Sequence, residues 1–216
     1  MATPGKIIIG CVAPTTAEEM KPYHEVFARL IPDDVWFDWA GSSASISDSY
    51  HEFENQGEKI VRRVSQLVDE HPDWHGVISR GAPPELKNPG LTDRLRAQIN
   101  IPVATALGAC VAAIQALSAQ RVQLMTPFDR PMNELLKQFL STAGIDAIVP
   151  PAFVQNVDVS TLTPEGVFLL TERALENKSV DAIYFQGASL DPLKVIDRIE
   201  SCLLYTSDAA DERTSV

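Results

Sequence analysis

Positive charge is the scarce commodity in this chain: 18 Lys and Arg stand against 29 Asp and Glu, a net charge of -11 over 216 residues. A nucleic-acid groove or a polybasic membrane anchor needs clustered cations, so neither partner is expected. Long apolar runs are also lacking. None reaches the roughly 18 to 20 residues that cross a bilayer, and the N-terminus enters a strand with no signal-peptide core, so a cytoplasmic protein is expected. Cysteine is sparse. Cys11, Cys110 and Cys202 form neither an even set nor a close-spaced ligand pattern, which argues against a disulfide framework and a zinc site. The only glycine-containing loop near a phosphate-binding pattern, Gly41 to Ser45, lacks the spacing of a dinucleotide fingerprint or a P-loop, so no nucleotide cofactor is expected. With 45% hydrophobic and 22% charged residues, the chain reads as globular rather than disordered.

What is present is an alternation of short β-branched runs and helical patterns. The spacing predicts strands at Lys6 to Val12, Val35 to Trp39, Trp74 to Ser79 and Ile101 to Ala104. Helices are expected over Ala17 to Leu30, around Ile60 to Leu67, over Leu91 to Gln98 and over Leu107 to Leu117, with Arg80 to Pro84 as a loop. The order then recurs: strand Arg121 to Met125, helix Met132 to Leu140, strand region Ala147 to Val154, helix Pro164 to Glu176, strand Asp181 to Phe185, helix Pro192 to Ile199. This predicts an α/β fold of two lobes related by a pseudo-two-fold axis, 1–105 and 106–201, each a short parallel sheet flanked by helices, with a site in the cleft between them.

The run from Cys202 to Glu212 resembles the translation of a transposase adapter used in DNA library preparation. Residues 202–216 are therefore expected to be a non-native tail, with the strand and helix that would answer Ile101 to Leu117 missing from the second lobe.

Open parallel sheets bind ligands beyond the carboxyl ends of their strands. Those ends here are Pro14-Thr15-Thr16, Arg80-Gly81-Ala82, Thr126-Pro127-Phe128 and Gly187-Ala188-Ser189. Small residues admit a ligand close to the backbone, and helix N-termini offer N–H donors to an anion, so a small carboxylate is the expected partner.

The order of these loops, from Lys6 to Ser201, resembles the aspartate/glutamate racemase superfamily, in particular its arylmalonate decarboxylase, maleate isomerase and hydantoin racemase branch. The resemblance implies cysteines at the ends of the strands at Val77 to Ser79 and Ile183 to Phe185, serving as acid, base or nucleophile. Both are replaced. Gly187 stands at the second position, and Arg80 or Gly81 at the first. Two-base racemisation and covalent isomerisation are thereby disfavoured, whereas decarboxylation needs only donors that hold an enediolate. The donors expected are the hydroxyls of Thr15, Thr16 and Tyr50 and the backbone near Gly81-Ala82 and Gly187-Ala188. Arg80 is the candidate carboxylate clamp. Tyr50 falls where the decarboxylase branch carries a tyrosine. Phe128 falls near a second one and lacks its hydroxyl.

Each residue also has a plainer role. Thr15 and Thr16 equally suit helix capping, Tyr50 core packing, Arg80 a solvated surface and Ser189 a turn. Cys11 and Cys110 fit small buried hydrophobes. The histidines of His71-Pro72-Asp73-Trp74-His75 read as a surface turn, because Pro72 spoils a helical ligand pair. The function expected is a cofactor-independent decarboxylase or lyase. The alternatives are an inactive small-carboxylate binder, or an isomerase or racemase with atypical acid and base. Either a monomer or a homo-oligomer suits the composition.

Overall fold

The computed structural model describes residues 6–13, 30–41, 54–149, 162–176, 179–186, 190 and 192–204. The chain divides into two compact units, Met1–Ala113 and Ile114–Val216.

The first unit holds a four-stranded, wholly parallel sheet of β1 (Ile7–Ala13), β2 (Val35–Gly41), β3 (Gly76–Ser79) and β4 (Val103–Thr105), in the order β2-β1-β3-β4. Register partners in a parallel sheet share a face. Ile8, Val12, Ala40, Val77 and Val103 thus project together, onto Val61, Val64 and Leu67 of helix α1 (Gly57–Glu70) and Leu91 and Leu95 of α3 (Leu91–Gln98). The apolar residues of α1 recur at three- and four-residue spacing, which puts them on the stripe facing the sheet.

Trp74 closes this core. It is 4% exposed, donates its indole N–H to Asp38 Oδ2 at 2.8 Å and stacks on His71 at 4.5 Å between centroids. Gly10 makes the space for it: a Cβ there would lie 2.1 Å from the indole ring. His71 and His75 form the turn before β3, as expected, with His75 Nδ1 accepting from Ile8 N at 3.1 Å. Among the described residues no cluster of His, Cys, Asp and Glu is placed to hold a metal ion.

The segment expected to be a loop is partly helical. Helix α2 runs Ala82–Lys87 (APPELK), and its two prolines occupy the first turn. Proline is tolerated there because the N–H it lacks would have no partner within the helix. Helix α4 (Ala106–Ala116) then follows β4 directly and spans the division between the units.

The second unit repeats the order with three parallel strands, β5 (Arg121–Met125), β6 (Asp146–Ile148) and β7 (Ala182–Phe185), arranged β6-β5-β7. Helix α5 (Arg130–Thr142) is capped by Asp129, which accepts from Met132 N, and α6 (Pro164–Leu175) by Thr163, which accepts from Gly166 N. Phe168 and Val167 of α6 pack with Val195 and Ile199. Of the expected strand region Ala147 to Val154, β6 covers Ala147 and Ile148, and residues 150–154 lie outside the described residues. The expected helix from Pro192 is broken into a 3-10 turn (Pro192–Lys194), a short helix α7 (Ile196–Ile199) and a π-type turn (Glu200–Leu204). The expected helix at Ala17 and the segment Gly41 to Ser49, apart from Leu30 and Gly41 themselves, lie outside the described residues. Among the described residues no helix is long and apolar enough to cross a membrane.

Candidate functional site

Of the residues singled out from the sequence, Thr15, Thr16, Tyr50, Gly187, Ala188 and Ser189 lie outside the described residues. Arg80, Gly81, Ala82, Thr126 and Phe128 are described, and each sits at a strand's carboxyl end.

In the first unit, the Arg80 backbone N–H donates to Val12 O at 2.7 Å, continuing the parallel ladder one step past β3. Gly81 follows with φ 96°, a left-handed region that favours glycine, and this bend turns the chain into α2. The two prolines after Ala82 remove donors that a helix N-terminus would otherwise offer. The backbone donors left at this turn are the N–H groups of Gly81 and Ala82, and neither is bonded to another group among the described residues.

The Arg80 side chain lies on the sheet face opposite the α1–α3 core. Its guanidinium carbon is 5.3 Å from the centre of the Trp39 ring, and its positive charge lies near enough to the Cys11 thiol to favour the thiolate. Arg80 is half-buried, supported by an aromatic face, and is therefore not the fully solvated charge of the plainer reading. Cys11 is 1% exposed, as expected of a small buried hydrophobe. Burial pushes its thiol from an ordinary 9.0 up to about 11, and the nearby Arg80 offsets only part of that rise. A neutral thiol at physiological pH is no nucleophile.

A pH dependence follows. Between about pH 9 and 11 the unfolded chain has lost the Cys11 proton and the folded chain retains it. Stability is therefore unaffected by this group below pH 9 and falls as pH rises through that window, by at most about 1.4 kcal/mol per pH unit. Urea unfolding of the wild-type chain and Cys11→Ala across that range checks this. A pH slope that is the same in both proteins rejects it.

Sequence reasoning missed Glu85, on α2. It is 9% exposed, and its Oε1 accepts from Thr92 Oγ1 at 2.7 Å and Thr105 Oγ1 at 3.0 Å. Its Oε2 is buried and has no partner among the described residues. Thr105 ends β4 and accepts from Gly108 N at 3.1 Å, so one chain of hydrogen bonds ties the helix after the Arg80 turn to the start of α4. The sequence signal was a Thr three residues before Gly108 at the head of an Ala-rich helix, which marks a cap but not the carboxylate behind it.

In the second unit, Thr126 is fully buried, and its hydroxyl donates to Asn133 Oδ1 at 2.6 Å while accepting from Phe128 N at 3.2 Å. Asn133 Nδ2 donates back to Phe128 O at 2.9 Å, and Phe128 is 3% exposed. Through these bonds Thr126 and Phe128 hold the β5–α5 turn. At the end of β7 the Tyr184 hydroxyl donates to Gln186 Oε1, and Gln186 N donates to Met125 O at 2.8 Å. An open depression of about 710 Å³, lined by Lys137, Ser141 and Asp146 among others, lies at the amino end of β6, away from the strand ends where such sheets bind ligands.

Residues 80–207, more than half of the chain, match the model of the family described as arylmalonate decarboxylase. The chain belongs to the arylmalonate decarboxylase family. The match begins at Arg80 and extends past Ser201 to residue 207. A crystal structure of arylmalonate decarboxylase is similar at TM-score 0.68 and 22% identity, covering 91% of this chain and 83% of its own. The maleate isomerase Iso of Pseudomonas putida S16, in a variant with maleate, is similar at TM-score 0.65 and 18% identity, covering 90% of this chain and 83% of its own. Maleate cis-trans isomerase of Nocardia farcinica, in a variant with a covalently bound succinylcysteine intermediate, gives TM-score 0.64 and 19% identity, with 91% and 84% covered. No curated protein matches in sequence. The α/β fold of two short parallel sheets flanked by helices is the one these structures share.

Proposed function

We propose that this protein is a cofactor-independent enzyme acting on a small carboxylate carbon acid, a decarboxylase or related lyase that stabilises an enediolate without the catalytic cysteines of the superfamily. The observation that carries the reading is the turn Ser79 to Ala82. It offers a guanidinium and two N–H donors, and no group that exchanges a proton or attacks carbon near neutral pH. Such a turn suits charge that develops on oxygen.

When the carbon–carboxylate bond breaks, its electron pair passes from the departing CO2 into the α-carbon and the retained carboxylate. Arg80 and the N–H groups of Gly81 and Ala82 hold the enediolate oxygens, and water returns a proton to carbon. In this proposal Thr15, Thr16 and Tyr50 supply hydroxyl donors, Gly187 and Ala188 backbone donors, and Ser189 a polar contact.

Two other readings are weaker. The Nocardia farcinica isomerase carries its intermediate on cysteine, and here the thiol nearest the Arg80 turn is buried and neutral. A small-carboxylate binder that has lost catalysis is the remaining reading, favoured by the lack of any acid at that turn. Substituting Tyr50 with Phe tests the reaction: turnover of a substituted malonate is expected to fall about 10²- to 10³-fold, as for loss of one oxyanion donor, with binding changed far less. An unchanged rate rejects Tyr50 as a donor.

A further inference from the structure

We infer that Trp39 is a positioning residue for Arg80, holding the guanidinium as a preformed carboxylate fork at the carboxyl end of β3. The inference rests on the reading of Arg80 as the carboxylate clamp.

Sheet register sets the arrangement. Cys11, Trp39 and Ile78 are partners in one row across β2, β1 and β3, so their side chains leave the same face. Arg80, two residues beyond Ile78, returns to that face one row later. Val12 pairs with Ser79 and Ala13 with Gly41, so the row that Arg80 enters holds Ala13 and Gly41. Neither has a side chain long enough to compete for the space. The long stem of Arg80 reaches back toward the preceding row, where Trp39 supplies a flat ring 5.3 Å from the guanidinium carbon. Phe37, one row earlier on the same strand face, packs edge-on against Trp39 with centroids 5.9 Å apart at 79°, which fixes the plane of the indole.

A planar cation on a fixed aromatic face keeps its charge while losing torsional freedom before any ligand arrives. An unsupported arginine would have to be ordered on binding. Trp39 therefore acts on affinity through Arg80 and touches no substrate itself.

Two variants separate support from packing. Trp39→Phe keeps a π face, and Trp39→Leu keeps apolar bulk alone. Malonate is titrated into each, following the Arg80 Nε–Hε resonance, assigned from Arg80→Lys, with thermal unfolding alongside. In the wild type, malonate is expected to shift that resonance. Trp39→Leu is expected to weaken malonate about tenfold and Trp39→Phe about threefold or less, with both proteins folded. Turnover, where present, should show the loss in KM with kcat little changed. Equal malonate affinity in the wild type and Trp39→Leu overturns the inference, as does equal loss in both variants, which would mark packing alone. Absence of any malonate response at Arg80 in the wild type removes the clamp and the inference with it. Binding with these ranks but no turnover upholds the inference while the decarboxylase reading falls.

Discussion

Arg80→Met is expected to lower kcat/KM toward a substituted malonate by about 10²- to 10³-fold, with KM raised and kcat reduced. A hydrogen bond to a charged group contributes about 1.5–3 kcal/mol, a bidentate guanidinium makes two, and each 1.4 kcal/mol is tenfold. The half-buried position of Arg80 places the effect toward the lower end of the resulting range. The charge on the retained carboxylate grows as CO2 leaves, so part of the attraction is realised only in the transition state and appears in kcat. Arg80→Lys is expected to recover a minor part, since an ammonium restores the charge but neither the fork nor the stacking on Trp39. Initial rates with both variants check this. A kcat/KM unchanged in Arg80→Met would remove Arg80 from the site.

The largest effect on stability is expected from Trp74→Ala, about 3–5 kcal/mol, the usual cost of emptying a buried tryptophan site. Trp74 links three things at once: the core between sheet and helices, the Asp38 carboxylate on β2, and the His71 ring that ends α1. Removing it also leaves Gly10 bare, so β1 offers only backbone to the cavity at that position. Gly10→Ala alone is expected to cost about 1–3 kcal/mol, because its methyl meets the ring and the ring cannot retreat from a packed core. In the Trp74→Ala background the same change should cost little. Urea unfolding followed by circular dichroism across this double-mutant cycle checks the pair. Additive costs would show that Gly10 and Trp74 do not share the space.

The repeat of strand and helix was legible because Lys6 to Val12 and Arg121 to Met125 are short runs centred on apolar residues and followed by Ala13-Pro14 and Thr126-Pro127, a pattern that local chemistry produces. The β5 bounds match the expectation residue for residue. Helix α2 was not legible, since Pro83 and Pro84 read as breakers until their place in a first turn is known. Thr126 was legible as a strand-end residue, but its bond to Asn133, seven residues on and one helical turn into α5, was not. The grouping of Cys11, Trp39 and Arg80 depends on the register of three strands distant in sequence, and no local pattern encodes it. Glu85 escaped notice for the same reason: its partners Thr92 and Thr105 reach it only once α3 and β4 are in place.

The most direct test of cysteine-independent decarboxylation is proton NMR in D2O of folded protein with a panel of substituted malonates, maleate, hydantoins and amino acids. The expected result is loss of a malonate with deuterium entering the product at the α-carbon. Malonates left intact by folded protein, whether or not exchange occurs elsewhere in the panel, would contradict it.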